Sequence, residues 1–142
     1  MDFKHLRALR LNAMFLIGAL VVQYALGMYV NLFVSFPENA TDGQLWEFAW
    51  SQPPLAAHII LAILLLLGAI VALVRAVLYK NKGWIIANTV GLLAILAAGA
   101  SGASFIPSQG DIYSYSMSLA FLAAMLAYAL GLLSSPRSET VR

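Results

Sequence analysis

The sequence predicts an all-α integral membrane protein, one four-span domain folded as an up-down-up-down bundle with both termini on the cytoplasmic side. Three observations lead there. The 142 residues are 62% hydrophobic and 10% charged, against roughly 25% charged in a soluble domain. Four apolar runs, at 11–34, 54–79, 84–105 and 113–134, are each long enough for the about 20 helical residues that a bilayer core demands. All eight basic residues fall in three segments: Lys4, Arg7 and Arg10; Arg75, Lys80 and Lys82; Arg137 and Arg142. The two remaining loops hold no basic residue but contain Glu38, Asp42, Glu47 and Asp111. The positive-inside rule then places the termini and the "YKNKG" turn in the cytoplasm and the acidic loops outside. The net charge of +2 is a topology signal, and no nucleic-acid partner follows from it.

The first run, with three basic residues ahead of it, has the look of a signal peptide. It is longer than the about 7–15 residues of such a segment, and "VSFPENATD" offers no small-x-small cleavage site. It is therefore expected to stay as a helix. The loop at 35–53 is the only long one, and its "LWEFAW" piece carries Trp46, Phe48 and Trp50 beside Glu47. Interfacial tryptophans ordinarily anchor at headgroup level; the alternative is a short interfacial helix lying over the outer end of the bundle. "NAT" at 39–41 matches a glycosylation acceptor on this outward loop, which matters only in a secretory pathway.

The second run, "PPLAAHIILAILLLLGAI", opens on two prolines, favoured in the first turn of a helix. Its one polar side chain is His58, about 6 Å along the axis from Pro54 at 1.5 Å per residue. The tight turn at 81–83 makes the second and third helices antiparallel neighbours. The third run reaches its outer end through "AAGASGAS", with Gly99 and Gly102, where no side chain exceeds serine. The fourth opens "SYSM", placing Tyr115, Ser116 and Met117 near the depth of His58. Gly27 on the first helix lies at a comparable level. The two hairpins form a weak internal repeat, with Gly27 and Gly102 in corresponding outer halves. The polar segment 135–142 is expected to be a tail.

Function concentrates on that outer layer. The chain has no cysteine, which excludes thiolate metal sites and thiol chemistry. No phosphate loop, paired-histidine metal spacing or Ser-His-Asp set is present, since the only other histidine, His5, lies in the basic N-terminal segment. Two readings of the layer compete. Small residues let membrane helices approach closely, and His58 can be satisfied by water, Gln52, Gln23 or Tyr115. Alternatively, the layer is a slot for a flat macrocycle, with neutral imidazole as one axial ligand and Met117 opposite; an ionisable residue inside the membrane is a functional candidate by default.

The pair "QYALGMYV" and, after the loop, "PPLAAHIILAILLLLGAI" resembles the hairpin of the haem A synthase family, in which a Gln and a Leu-Gly on one helix precede a Pro-x-x-x-x-His opening the next. The resemblance implies one four-helix half of such a protein, the cofactor-holding half, with haem b between helices. It makes His58 the axial ligand. On the fourth helix the matching position is Ser116, with Met117 adjacent, so the family's second histidine is missing or replaced, which leaves His/Met ligation, five-coordinate His, or no haem. The outer loop offers Glu47 without the His and Arg that the family's catalytic half places beside its glutamate. Haem A synthesis by this chain alone is therefore not expected. Electron transfer or haem handling in a prokaryotic plasma membrane is.

The outer face has no Arg or Lys to meet haem carboxylates, leaving Gln52, Trp50, Tyr113, Ser114 or water. A quinone, pigment or lipid would suffer less in the same slot. The other class is an accessory subunit of a larger membrane complex, or a homo-oligomer, without redox chemistry of its own. A transporter is disfavoured because no charged residue lies near the bilayer midplane.

Overall fold

The computed structural model describes residues 3–134; the expected tail at 135–142 lies outside them. The described residues form five helices: α1 (Phe3–Phe33), α2 (Asp42–Ser51), α3 (Pro53–Leu78), α4 (Lys82–Ser108) and α5 (Asp111–Leu133). α1, α3, α4 and α5 are each long and apolar enough to cross a membrane.

The breaks between helices have local causes. Proline restricts the residue before it to extended conformations, and Gln52, at φ −90° and ψ 111°, is the single residue that separates α2 from α3. At the other end of α3, Lys80 adopts a left-handed φ of 53° and Asn81 caps α4 by accepting the Trp84 N–H at 3.0 Å. The α4–α5 link is two residues long: Gln109, left-handed at φ 50°, donates its N–H to Phe105 O at 2.7 Å, and Gly110 is the N-cap of α5. α2 begins after Thr41, whose N–H donates to Gln44 Oε1 at 2.9 Å.

Two boundaries differ from the sequence expectation by three residues or more. α1 begins at Phe3 rather than near residue 11. Its charged first turns continue the helix beyond the apolar span because they pack on α3: Leu9 is buried, His5 stacks on Tyr79 with ring centroids 4.1 Å apart, and Arg75 Nη1 donates to Asn12 Oδ1 at 2.9 Å. α4 runs on to Ser108 rather than ending near 105. Pro107 stands inside its last turn, where the missing proline N–H leaves the carbonyl of Ala103 without its usual i+4 donor.

The long helices form a ring. α1 packs on α3 and α5, and α4 packs on α3 and α5, so α3 and α5 face each other across a diagonal. One core cluster, including Leu16, Ala69, Ala72, Trp84, Ala124 and Tyr128, fills the end near the α3–α4 turn. Close approach there depends on Gly91. A Cβ at that position would lie 2.5 Å from Tyr128 Cζ, so the fully buried Tyr128 ring rests directly on the α4 backbone. A second cluster, Val30, Leu45, Ala49, Leu55 and Ile106, sits beneath α2. Outward-facing Phe15, Leu64, Ile86 and Leu133 are all more than half exposed. Such a surface suits lipid, whose tails are as apolar as the side chains.

Candidate functional site

Between the two clusters the helices part around a cavity of about 540 Å³, lined by all four long helices and by Trp46 of α2. Its lining explains the parting. On α4, between Leu96 and Phe105, it includes Ala98, Gly99, Ala100, Gly102 and Ala103, which lack the side chains that would fill the space. At Gly99 an added Cβ would meet nothing within 4 Å, so no neighbouring side chain demands its smallness.

His58 enters the cavity from the second turn of α3, behind the pair of prolines. Its ring lies against α1, where a Cβ at Gly27 would come within 3.0 Å of His58 Cε1. Nε2 lies 3.2 Å from Gln23 Nε2, one turn earlier on the same helix. His58 Nδ1 and Gln23 Oε1 are buried without a hydrogen-bond partner among the described residues. Buried polar atoms are nearly always paired, so this imidazole–amide pair has capacity left for a further group.

Met117 enters from α5, on the other side of the diagonal. Its sulfur lies 3.2 Å from where a Cβ of Gly102 would be. The two halves thus repeat one arrangement. Gly27 of α1 receives the side chain of His58 near the start of α3, and Gly102 of α4 receives that of Met117 near the start of α5.

Of the residues singled out from sequence, Gln23, Gly27, His58, Gly99, Gly102 and Met117 line this one cavity. Ser116 and Tyr115 do not. Ser116 turns into the α4–α5 contact, where Ser101 Oγ donates to its Oγ at 3.0 Å, and Tyr115 is 62% exposed. Between Ser116 and its neighbour Met117, the helix turn selects Met117 as the cavity-facing group. Gln52, Trp50 and Tyr113 also fall outside the lining, whereas Ser114 belongs to it.

Sequence reasoning placed Trp46 only as a headgroup anchor or part of a helix over the outer end, and it missed other polar and aromatic lining, including Asn31 and a stack of Tyr24 on Phe121 with centroids 5.0 Å apart on the α1–α5 side. The i, i+3, i+7 spacing of Tyr24, Gly27 and Asn31 on α1 was the available signal, since those positions share a helix face.

No charged side chain lines the cavity. Nor do three His, Cys, Asp or Glu residues gather anywhere among the described residues as a metal-holding set. What the site offers is one imidazole, one thioether and a few neutral hydrogen-bonding groups in apolar surroundings. That donor set fits an axially ligated macrocycle or a flat uncharged molecule. Comparison with protein families, curated proteins and solved structures found no match to this chain.

Proposed function

We propose that this is a membrane b-type haem-binding protein resembling half of a haem A synthase, with His58 as axial ligand and Met117 as the group opposite. One observation carries the reading: a single apolar cavity receives an imidazole and a thioether from diagonal helices, and the imidazole has an unpartnered buried nitrogen. The volume of about 540 Å³ falls within the roughly 300–1,000 Å³ of cofactor and ligand sites. Glycines stand where side chains from helices entering the cavity come against backbone. A haem held there supplies one-electron transfer. The protein's part is to present His58, fix its ring against Gly27 and Gln23, and exclude water.

The reading includes an up-down-up-down crossing with both termini cytoplasmic. It rests on charge: among the described residues, Lys4, Arg7, Arg10, Arg75, Lys80 and Lys82 belong to the α1 start and the α3–α4 turn, while Glu38, Asp42, Glu47 and Asp111 belong to the segments around α2 and the α5 start. The cavity then faces the outer half of a prokaryotic plasma membrane.

A second reading is favoured by the absence of charge in the lining: an uncharged flat ligand such as a quinone or pigment, with His58 and Gln23 as its hydrogen-bonding groups. One experiment separates them. Absorption spectra of purified protein, produced with ample haem, are recorded air-oxidised and dithionite-reduced alongside His58→Ala and Met117→Ala. A Soret band with sharp reduced bands, abolished by His58→Ala, supports haem; loss of the low-spin reduced bands in Met117→Ala supports the thioether. A featureless spectrum removes the haem reading, and organic extraction of the protein then reports any quinone or pigment. An empty extract leaves an accessory subunit of a membrane complex.

A further inference from the structure

The cavity has a polar rim at its α2 end. Asn31 closes it from the last turn of α1, Ser114 from the first turn of α5, and Trp46 from α2. Asn31 and Ser114 are already in register across the seam, with Ser114 Oγ donating to Asn31 Oδ1 at 3.5 Å. That long contact leaves the Asn31 amide N–H groups free to donate elsewhere, and Trp46 carries an indole N–H. The His58 ring meets α1 at Gln23 and Gly27. Asn31 is four residues past Gly27 and eight past Gln23, about 6 and about 12 Å along the axis at 1.5 Å per residue. On α1 the rim therefore stands one to two turns outward of the residues that the imidazole touches.

We infer that Asn31, Ser114 and Trp46 form an uncharged clamp for the carboxylates of the ligand, doing with neutral donors what Arg and Lys do elsewhere. The inference rests on the haem reading above and assigns residues that reading does not need. The charge distribution makes the clamp necessary. No Lys or Arg lines the cavity, and the exposed carboxylates around α2 and the α5 start, Glu38, Asp42, Glu47 and Asp111, repel an anion. Hydrogen bonds to an ionised acceptor are roughly twice as strong as neutral ones, so a few well-placed donors hold a carboxylate where no counter-ion is present. Trp46 rides on α2, which packs on both α3 and α4. The short helix thereby supplies one donor and covers the edge of the site.

The test compares ferric haem with its dimethyl ester, which keeps the metal and ring but has no ionised carboxylate. Both are titrated by Soret absorbance into detergent-purified apoprotein, as wild type, Ser114→Ala and Asn31→Leu, with Asn31→Lys as a gain-of-charge variant. The expected result is that Ser114→Ala and Asn31→Leu each weaken haem binding about tenfold or more while ester affinity stays put, and Asn31→Lys tightens haem alone. Equal loss for haem and ester overturns the clamp, because the residues then only shape the cavity. Unchanged haem affinity in both truncations also overturns it and leaves His58 ligation standing. A wild type that takes the ester but refuses haem overturns it by showing that the site rejects carboxylates. A wild type that binds neither removes the haem reading and the clamp together.

Discussion

Replacing Gly91 by alanine tests the packing that holds the tight end of the bundle closed. An added Cβ would lie 2.5 Å from Tyr128 Cζ, 2.7 Å from Oη and 2.8 Å from Cε2, whereas carbon atoms rest comfortably at about 3.5–4.0 Å. The ring must therefore retreat by about 1 Å. It has little room, being fully buried in the cluster with Leu65, Ala94 and Ala124. Forcing a methyl group into a filled core costs about 1–3 kcal/mol, set against a helix-propensity gain of up to about 1 kcal/mol for Gly→Ala. Gly18→Ala isolates that gain, since nothing lies within 4 Å of its Cβ position. Gly91→Ala is accordingly expected to be about 1–3 kcal/mol less stable than Gly18→Ala, roughly a 5- to 150-fold change in the unfolding equilibrium. Unfolding by SDS in mixed micelles, followed by tryptophan fluorescence, measures it. In a Tyr128→Ala background the penalty should vanish, giving a coupling energy of the same size in a double-mutant cycle. Equal stability of the two alanine variants, or a coupling near zero, would refute the contact.

Gly27→Ala should act on the site more than on the fold. The three atoms nearest its Cβ would all belong to the His58 ring, with Cε1 at 3.0 Å, so the imidazole tilts and haem affinity, read by Soret titration, falls several-fold while the SDS midpoint moves little. Asn81→Ala removes the acceptor for the Trp84 N–H and should cost about 1 kcal/mol; Asn81→Asp, which keeps an acceptor oxygen, should recover most of it in the same unfolding assay.

Helix existence was legible because runs such as 54–79 admit no other structure in lipid. Helix faces were much harder to read. In soluble proteins a polar stripe marks the outside, but here outward-facing Leu64 is as apolar as buried Leu65, and hydropathy does not distinguish them. Tyr115 and Tyr128 show the difficulty most plainly: the same residue type on one helix is 62% exposed at the first position and fully buried at the second. What separates them is Gly91 on the neighbouring helix, a pairing invisible without the register of α4 against α5. The cavity layer was readable where residue type is unusual for its depth, as with His58 and the small-residue stretch on α4. Asn31 escaped notice because it stands near a helix end, where a polar side chain needs no special reason, and Trp46 was legible only as an interfacial residue over the outer end of the bundle. The α1 start was placed too late because hydropathy falls where Lys4, Arg7 and Arg10 begin, although contacts with α3 carry the helix on.

The long helices are unequal in length, and this gives the protein a relation to bilayer thickness. α1 has 31 residues and α5 has 23, about 46 and 34 Å at 1.5 Å per residue, against a hydrocarbon core of about 30 Å that varies by a few Å among membranes. α1 tolerates any such thickness by letting its charged turns stand in the headgroups. α5 has almost no excess. A thicker membrane must therefore thin locally around α5 or draw its ends inward, and one of those ends holds Ser114 and Met117. The same polypeptide reconstituted in short-chain and long-chain lipids is thus strained first along the helix that walls the cavity opposite His58, which makes acyl-chain length a physical variable of the site.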